Sequence, residues 1–419
     1  MRLGVIADDF TGSVDIAGFL VAGGMRTIMC SRPVVVGDSD AIVMSLKIRS
    51  IPKSEAVKQV LEALAFLQQA GCDRFYYKYC STFDSTSEGN IGPITDALRE
   101  ALNCSTTLIC PALPVNGRTV FHGYLFVKDE LLSDSPMRHH PINPMHDSKL
   151  ARILSSQSPA KNGHIYYDVI AKGSIAVRKA IEELKADGVN NIIVDVIDDE
   201  DLLVIAEATE DFSLVTGGSG LAQGIAHRWR ERSGKTADLN AAFVVERRKA
   251  VVIAGSCSAM MQKQVAYYKK LAPSLSIDEQ ACLDDPEYYT KIVAAWVLEH
   301  QDQVLAPMVY ATRSPSELEE NRKKFGDADV SSAIEQMFSR LTGLLADKGV
   351  QNFIVGGGET SGVVATTLGV DAYLIGRQID PGVSWVRSLD GAYQLVLKSG
   401  NFGSVEFLEK AQEMYDGNH

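Results

Sequence analysis

Short apolar runs rich in β-branched residues alternate along the chain with stretches whose apolar positions recur at helical spacing. The pattern predicts strands over residues 3–7, 41–46, 75–79, 107–110, 165–169, 191–195 and 213–216. Between several of them it predicts helices over 15–22, 54–70, 91–102, 174–186, 202–208 and 221–232. Parallel strands need a crossover, usually a helix, so this rhythm predicts an α/β fold with mostly parallel sheets flanked by helices. The rhythm lapses over 230–248, which is polar, charged and glycine-containing and reads as connecting chain. It resumes with strands at 250–254, 275–277, 309–311, 353–355, 373–375 and 393–397, and with helices at 259–271, 288–299, 333–348 and 405–415. Two α/β domains are expected, residues 1–232 and 248–419, with a linker at 233–247 and an active site in the cleft between them.

Composition narrows the function classes. The 419 residues carry 41 Lys+Arg against 53 Asp+Glu, a net charge of −12. That balance argues against a protein that coats nucleic acid or an anionic membrane. It leaves small anionic ligands open, because these respond to local fields. Seven cysteines without a CxxC pair read as reduced thiols of a cytoplasmic protein, neither a disulfide frame nor a zinc site. No HxH or HExxH pattern occurs, and no protein metal-ligand set is expected. The apolar start is broken by Asp8 and Asp9, which excludes a signal-peptide core, and no stretch is long and apolar enough for a membrane span.

The candidate chemistry lies where predicted strands end. The first strand runs into Asp8-Asp9-Phe10-Thr11-Gly12. Ligands of open parallel sheets sit beyond carboxyl strand ends, so paired acids there could hold hydroxyls or take a proton. A helix cap by Asp9 or Thr11 is the plainer reading. The strand at 75–79 delivers Lys78, followed by a loop with five hydroxyl residues in seven positions, including Ser81 and Thr82, and by Asp84. A lysine among hydroxyls suits an anionic, hydroxylated ligand such as a sugar acid, although the loop also reads as a Ser/Asp turn. Asn116 and Arg118 follow the strand at 107–110, and Arg49 follows the one at 41–46. Either arginine could pair with a carboxylate, and either could sit in an ordinary turn. Gly217-Gly218-Ser219-Gly220 marks another strand-to-helix junction but misses the dinucleotide spacing, and Gly234-Lys235-Thr236 lacks the glycine and the strand of a P-loop.

The second half carries the strongest motif, Gly356-Gly357-Gly358-Glu359-Thr360-Ser361, between a buried-type strand and a helix. Backbone N–H groups bared by glycine at a helix start make an anion cradle, and phosphate is its natural guest. Gly255-Ser256-Cys257-Ser258 and Lys398-Ser399-Gly400-Asn401-Phe402-Gly403 also follow strands. Three such turns in one domain suggest a nucleotide's phosphate chain with a base pocket nearby.

With these residues in hand, the chain resembles the four-carbon acid sugar kinase family over essentially its whole length, most closely the branch acting on 3-oxo-tetronate. The resemblance rests on IADDFTGSVDIAGFL from Ile6, KYCSTFDSTSEGNIGP from Lys78, PALPVNGRTVFHGYLFV from Pro111, GGSGL from Gly217, GSCS from Gly255, GGGETSG from Gly356 and LKSGNFG from Leu397. Many members instead carry a K-x-D-S-T-L-R-G-N stretch, which this chain lacks after Lys78. The resemblance implies an N-terminal sugar-acid domain, a C-terminal ATP domain, Mg²⁺ with the nucleotide, and phosphorylation of the 4-hydroxyl of 3-oxo-tetronate. It implies ATP contacts at Ser258, Gly357, Gly358, Glu359, Thr360 and Gly403, and Ser256 and Gly400 in the same turns are expected to join them. Asp8, Asp9 and Lys78 would act at the reacting centre, with Arg49, Ser81, Thr82, Asp84, Asn116 and Arg118 on the sugar acid. A homodimer is compatible with such a chain; nucleic-acid and membrane partners are not expected.

Three other readings have distinguishing features. A threonate or erythronate kinase of the same family would keep the fold and change the acceptor. A non-catalytic sugar-acid receptor would leave the phosphate-type turns without a use. A haloacid-dehalogenase-type phosphohydrolase needs a second aspartate two positions after Asp8, where this chain has Phe10.

Overall fold

The computed structural model describes residues 1–140, 142–234, 243–326 and 329–417. Its chain divides into two compact units, Met1–Ala241 and Ala242–His419. In the first, β1 (Leu3–Ala7), β2 (Thr27–Cys30), β3 (Ala41–Ser45), β4 (Arg74–Lys78) and β5 (Thr107–Cys110) are buried at every position. Helices covering both faces of a parallel sheet require this. The hairpin strands β6 (Arg118–Phe121), β7 (Tyr124–Val127) and β8 (Glu130–Leu131) form a separate antiparallel sheet. The chain returns to the main sheet with β9 (Asn162–Ile165), β10 (Asn191–Val194) and β11 (Leu214–Gly217). The order is β2-β3-β1-β4-β11-β5-β10-β9, parallel throughout.

That order positions the site. The helix Phe10–Ala22 carries the chain from β1 toward β2, and the helix Lys53–Gln69 carries it the opposite way, from β3 to β4. Right-handed crossovers in opposite directions place their helices on opposite faces of the sheet. The chain thus leaves β1 toward one face and its neighbours β3 and β4 toward the other. A crevice opens at the carboxyl end of β1, the place where such sheets bind ligands.

The second unit repeats the device. Its strands are β12 (Ala250–Ala254), β13 (Ser274–Ser276), β14 (Met308–Tyr310), β15 (Asn352–Gly356), β16 (Ala372–Asp380), β17 (Val383–Ser388) and β18 (Gln394–Lys398). The order is β13-β14-β12-β15-β18-β17-β16. The first five in that order are parallel, and β17 is antiparallel to both its neighbours. The helix Ala259–Tyr268 runs from β12 toward β13, whereas Pro286–Glu299 and Val330–Asp347 cross the other way. The reversal falls at β12 and opens a second crevice at its carboxyl end.

Several elements differ from the sequence expectation for local reasons. Residues 165–169, expected as strand, divide into the end of β9 and a helical turn, Tyr167–Ile170. The cause is Asp195, buried after β10, whose carboxylate accepts the Tyr167 N–H at 3.0 Å and holds His164 Nε2 at 2.7 Å. The helix expected from residue 15 begins at Phe10, because the Asp9 side chain caps it by accepting from Gly12 N at 2.7 Å. β2, the β6–β8 sheet and β17 were not expected at all. Of the segment 233–247 read as a linker, 235–242 lie outside the described residues, and so do Lys235 and Thr236 of the rejected P-loop. Phe243 and Val245 are buried, and Phe243 packs against Gly376 of the second unit. Among the described residues no helix is long and apolar enough to cross a membrane.

Candidate functional site

Parallel pairing of β1 with β3 and β4 brings three loops together in the first unit. At their centre is Arg49. Its guanidinium grips Asp8 through Nε to Oδ2 at 2.8 Å and Nη2 to Oδ1 at 2.9 Å. Nη2 also lies 2.9 Å from Asp9 Oδ2, and Nη1 lies 3.8 Å from Asp84 Oδ2. Thr82 Oγ1 donates to Asp84 Oδ1 at 2.7 Å and is 2.8 Å from Cys80 Sγ. Asp8, Asp9, Arg49, Thr82 and Asp84 therefore form one network.

Within it the two neighbouring acids differ. The Asp8 side chain is 3% exposed and the Asp9 side chain 32%. Burial pushes the Asp8 carboxyl up, and the Arg49 guanidinium pulls against it. Burial would depress Arg49, but Asp8 above all holds it raised and charged. The pair stays ionised at neutral pH, because both carboxylate oxygens are bonded to a group that does not deprotonate. Arg49 thus spends Nε and Nη2 on protein carboxylates and orients them, while Nη1 makes no hydrogen bond among the described residues.

Lys78, at the end of β4, is buried, and its ammonium donates to the Tyr79 carbonyl at 2.8 Å. A Cβ on Gly12 would lie 2.5 Å from Asp9 Oδ1 and 3.0 Å from Lys78 Nζ, so glycine is needed for the carboxylate and the ammonium to approach. Ser81 packs beside Gly218, whose added Cβ would lie 3.4 Å from Ser81 Cβ. Arg118 Nη1 donates to the Asn116 carbonyl, and its buried Nε has no hydrogen-bond partner among the described residues.

Two further residues belong here. Asp15, one turn into the first helix, accepts a hydrogen bond from Ser219 Oγ. Burial pushes its carboxyl up, while the Lys78 charge and the Ser219 bond pull it down, with a weaker pull from Arg118. The one signal in the sequence is a lone charge in an otherwise small and apolar stretch, Gly12 to Leu20; its partner is not readable from it. The assembly offers carboxylates to hydroxyl groups, and Lys78 and Arg118 to an anion.

In the second unit the turns after β12, β15 and β18 converge. A Cβ on Gly255 would lie 2.0 Å from Thr360 Oγ1, and one on Gly357 would lie 3.1 Å from Ser256 N. On Gly400 it would lie 2.1 Å from Ser256 Oγ and 2.6 Å from Ser258 Oγ. Gly403 adopts a φ of 83° and packs against Phe407. Ser258 caps the helix Ala259–Tyr268, accepting from Met261 N at 3.3 Å. The helix Gly358–Thr367 has Gly357 at its N-cap and no side-chain cap, so its first N–H groups carry no capping acceptor and suit an anion. Gly358 and Glu359 are exposed at its start. Ser256, Ser258, Gly357, Thr360 and Gly400 thus come together in one cradle, with Gly358 and Glu359 at its border, whereas Gly403 packs against Phe407 further along the third turn.

Lys398, the one cation in these three turns, is buried beneath them and donates to the carbonyls of Ser399 at 3.2 Å and Gly400 at 3.4 Å. Burial pushes its ammonium down to about 8. Among the described residues no group of three or more His, Cys, Asp or Glu could hold a metal ion.

Comparison with known proteins matches residues 3–225 to a sugar-binding N-terminal domain and residues 251–408 to a nucleotide-binding C-terminal domain. The chain is 47% identical to a 3-oxo-tetronate kinase of Pectobacterium atrosepticum, covering 99% of each chain. It is 48% identical to a 3-oxo-tetronate kinase of Haemophilus influenzae, covering 99% of this chain and 100% of the other. A crystal structure of a Haemophilus influenzae protein superposes with a TM-score of 0.90 at 47% identity, covering 98% of this chain and 100% of that one.

Proposed function

Because the chain belongs to the four-carbon acid sugar kinase family, we infer that it transfers the γ-phosphate of ATP to the 4-hydroxyl of 3-oxo-tetronate. The observation that carries the acceptor is full-length identity of 43–48% to 3-oxo-tetronate kinases. The chemistry of the two crevices agrees with it. Phosphoryl transfer asks little covalent chemistry of a protein; positioning and electrostatics do most of the work. Lys78, Arg118 and the Nη1 of Arg49 are the cationic groups with donors left for the substrate carboxylate. Asp9, the more exposed of the adjacent acids, orients the 4-hydroxyl and takes its proton as oxygen bonds to phosphorus and ADP leaves. Asp8 and Arg49 hold Asp9 in place, and Ser81, Thr82, Asp84 and Asn116 shape the hydroxyl-binding wall.

The cradle of the second unit takes the phosphates on N–H groups and hydroxyls. Mg²⁺ accompanying a nucleotide is typically bound by one or two carboxylates plus phosphate oxygens. Glu359, the only acid in the three turns, fits that limited requirement, and the ion would offset charge on the phosphates.

An ATP-consumption screen over four-carbon sugar acids, oxidised and unoxidised, tests the assignment. Turnover is expected on a 3-oxo-tetronate. Turnover confined to threonate or erythronate would overturn the acceptor and keep the kinase.

Lys398 makes nucleotide binding depend on pH. Below about 8 its ammonium is charged in the free protein and meets the phosphates; above that value the charge is lost. ADP affinity should therefore fall between pH 7 and 9.5, and Lys398→Met should abolish the trend. The stability of the free chain runs the other way. The unfolded lysine titrates near ~10.4 and the folded one at about 8. Between those values the unfolded state binds more protons, and stability rises with pH. Equal ADP affinity at the two pH values in calorimetry would remove Lys398 from the phosphate site.

A further inference from the structure

Beside the cradle lies a pocket of about 330 Å³ that shares Gly255, Glu359 and Thr360 with it. One wall is apolar, built from Leu318, Phe325, Val330, Ile334 and Phe338. The pocket's charged groups are Arg313 against Glu279, Asp329, Glu335 and Glu359, so phosphate is disfavoured inside. An uncharged, flat group attached to a phosphate chain held in the cradle suits it: the nucleoside end of the nucleotide.

The polar edge is more specific. Arg313 Nε binds Glu279 Oε1 at 2.7 Å. Its Nη1 donates to the Thr312 carbonyl at 3.2 Å and its Nη2 to the Ile277 carbonyl at 2.5 Å. Each nitrogen of the arginine already serves the protein. Glu279 Oε1 also accepts from Asn321 Nδ2 at 3.0 Å. What this edge offers a ligand is the second carboxylate oxygen, Glu279 Oε2, beside the second N–H of Asn321. An acceptor next to a donor complements adenine, whose 6-amino group donates next to a ring nitrogen that accepts. Guanine presents a 6-oxo acceptor at the same place. Its own donor pair, N1–H and the 2-amino group, would need two free carboxylate oxygens, and one of the two is already spent.

We propose that Glu279, held by Arg313 and assisted by Asn321, reads the adenine edge and sets a preference for ATP over GTP. This deepens the nucleotide assignment of the same site and rests on it. The test is calorimetric titration of the full chain with ADP and with GDP, without sugar acid, so that the acceptor's identity plays no part. The unaltered chain should bind ADP tighter than GDP by about tenfold or more. Glu279→Gln should bring that ratio near unity, mainly by weakening ADP. Because this change also disturbs Arg313, Asn321→Leu provides a second arm that leaves the Arg313–Glu279 pair in place, and it too should shrink the ratio. A ratio unchanged in both variants, or already near unity in the unaltered chain, overturns the proposal. An unaltered chain that binds neither nucleotide overturns the nucleotide assignment beneath it.

Discussion

Replacing Asp9 by asparagine should lower kcat by about 10²–10⁴-fold, the range for loss of a general base, with ADP affinity unchanged and the fold intact. The substitution isolates the charge. Asparagine caps helices about as well as aspartate, so the bond to Gly12 N at 2.7 Å has a replacement and the helix Phe10–Ala22 keeps its start. Arg49 loses one carboxylate but keeps the two bonds to Asp8 at 2.8 and 2.9 Å. The neighbouring change, Asp8→Asn, lacks that cleanness. It removes the buried partner of Arg49, and breaking a buried pair costs about 3–5 kcal/mol, so lost activity there would be mixed with lost stability. Steady-state kinetics and thermal unfolding of the two variants separate the cases. Unchanged kcat in Asp9→Asn would strip Asp9 of the base and positioning role. A larger fall in Asp15→Asn would hand that role to Asp15.

These residues differ in how far their places could be read from sequence. Asp8 and Asp9 were legible because strand periodicity alone puts them just past the end of a buried strand. Lys78 stood out as a charge closing an aromatic run, and the glycine turns as more glycine than a turn needs. Arg49 as a hub was not legible. Its partners are distant in sequence, Asp8 by 41 positions, and only the order β3-β1-β4 brings them together. Periodicity identifies strands but does not order them. Asp15 was hidden by the same limit: its partner Ser219 is 204 positions away, at the end of β11. The β6–β8 hairpins escaped because short, half-exposed strands such as Arg118–Phe121 carry little apolar signal. The helical turn at Tyr167 depends on Asp195, another long-range partner. The net charge of −12 was informative about excluded partners, yet both ligands are anions. On the proposed reading they are met by a few local donors, Lys78 and Lys398 among them, each only 3% exposed.

Gly357→Ala should weaken ADP binding by about tenfold or more and lower the melting temperature by a few degrees, while sugar-acid binding stays as it was. The backbone of Gly357 sits at a φ of 134°, a conformation that L side chains rarely adopt. Holding alanine there costs about 1–3 kcal/mol, and relaxing that strain rotates the N–H groups that open the helix Gly358–Thr367. The new Cβ would also lie 3.1 Å from the Ser256 backbone nitrogen, which no rotamer change can relieve. Strain and crowding therefore fall on the junction of the turns after β12 and β15. The groups proposed to hold the sugar acid belong to the other compact unit, and none of them is among the atoms that the added Cβ would meet. Gly362→Ala on the same helix is the control. Nothing lies within 4 Å of its added Cβ, and replacing a mid-helix glycine by alanine stabilises by about 0.5–1 kcal/mol. It should raise the melting temperature slightly and leave ADP affinity alone. If Gly357→Ala bound ADP as tightly as Gly362→Ala, the phosphates would not rest on this turn, and the cradle would have to be sought around Ser258 and Gly400 alone.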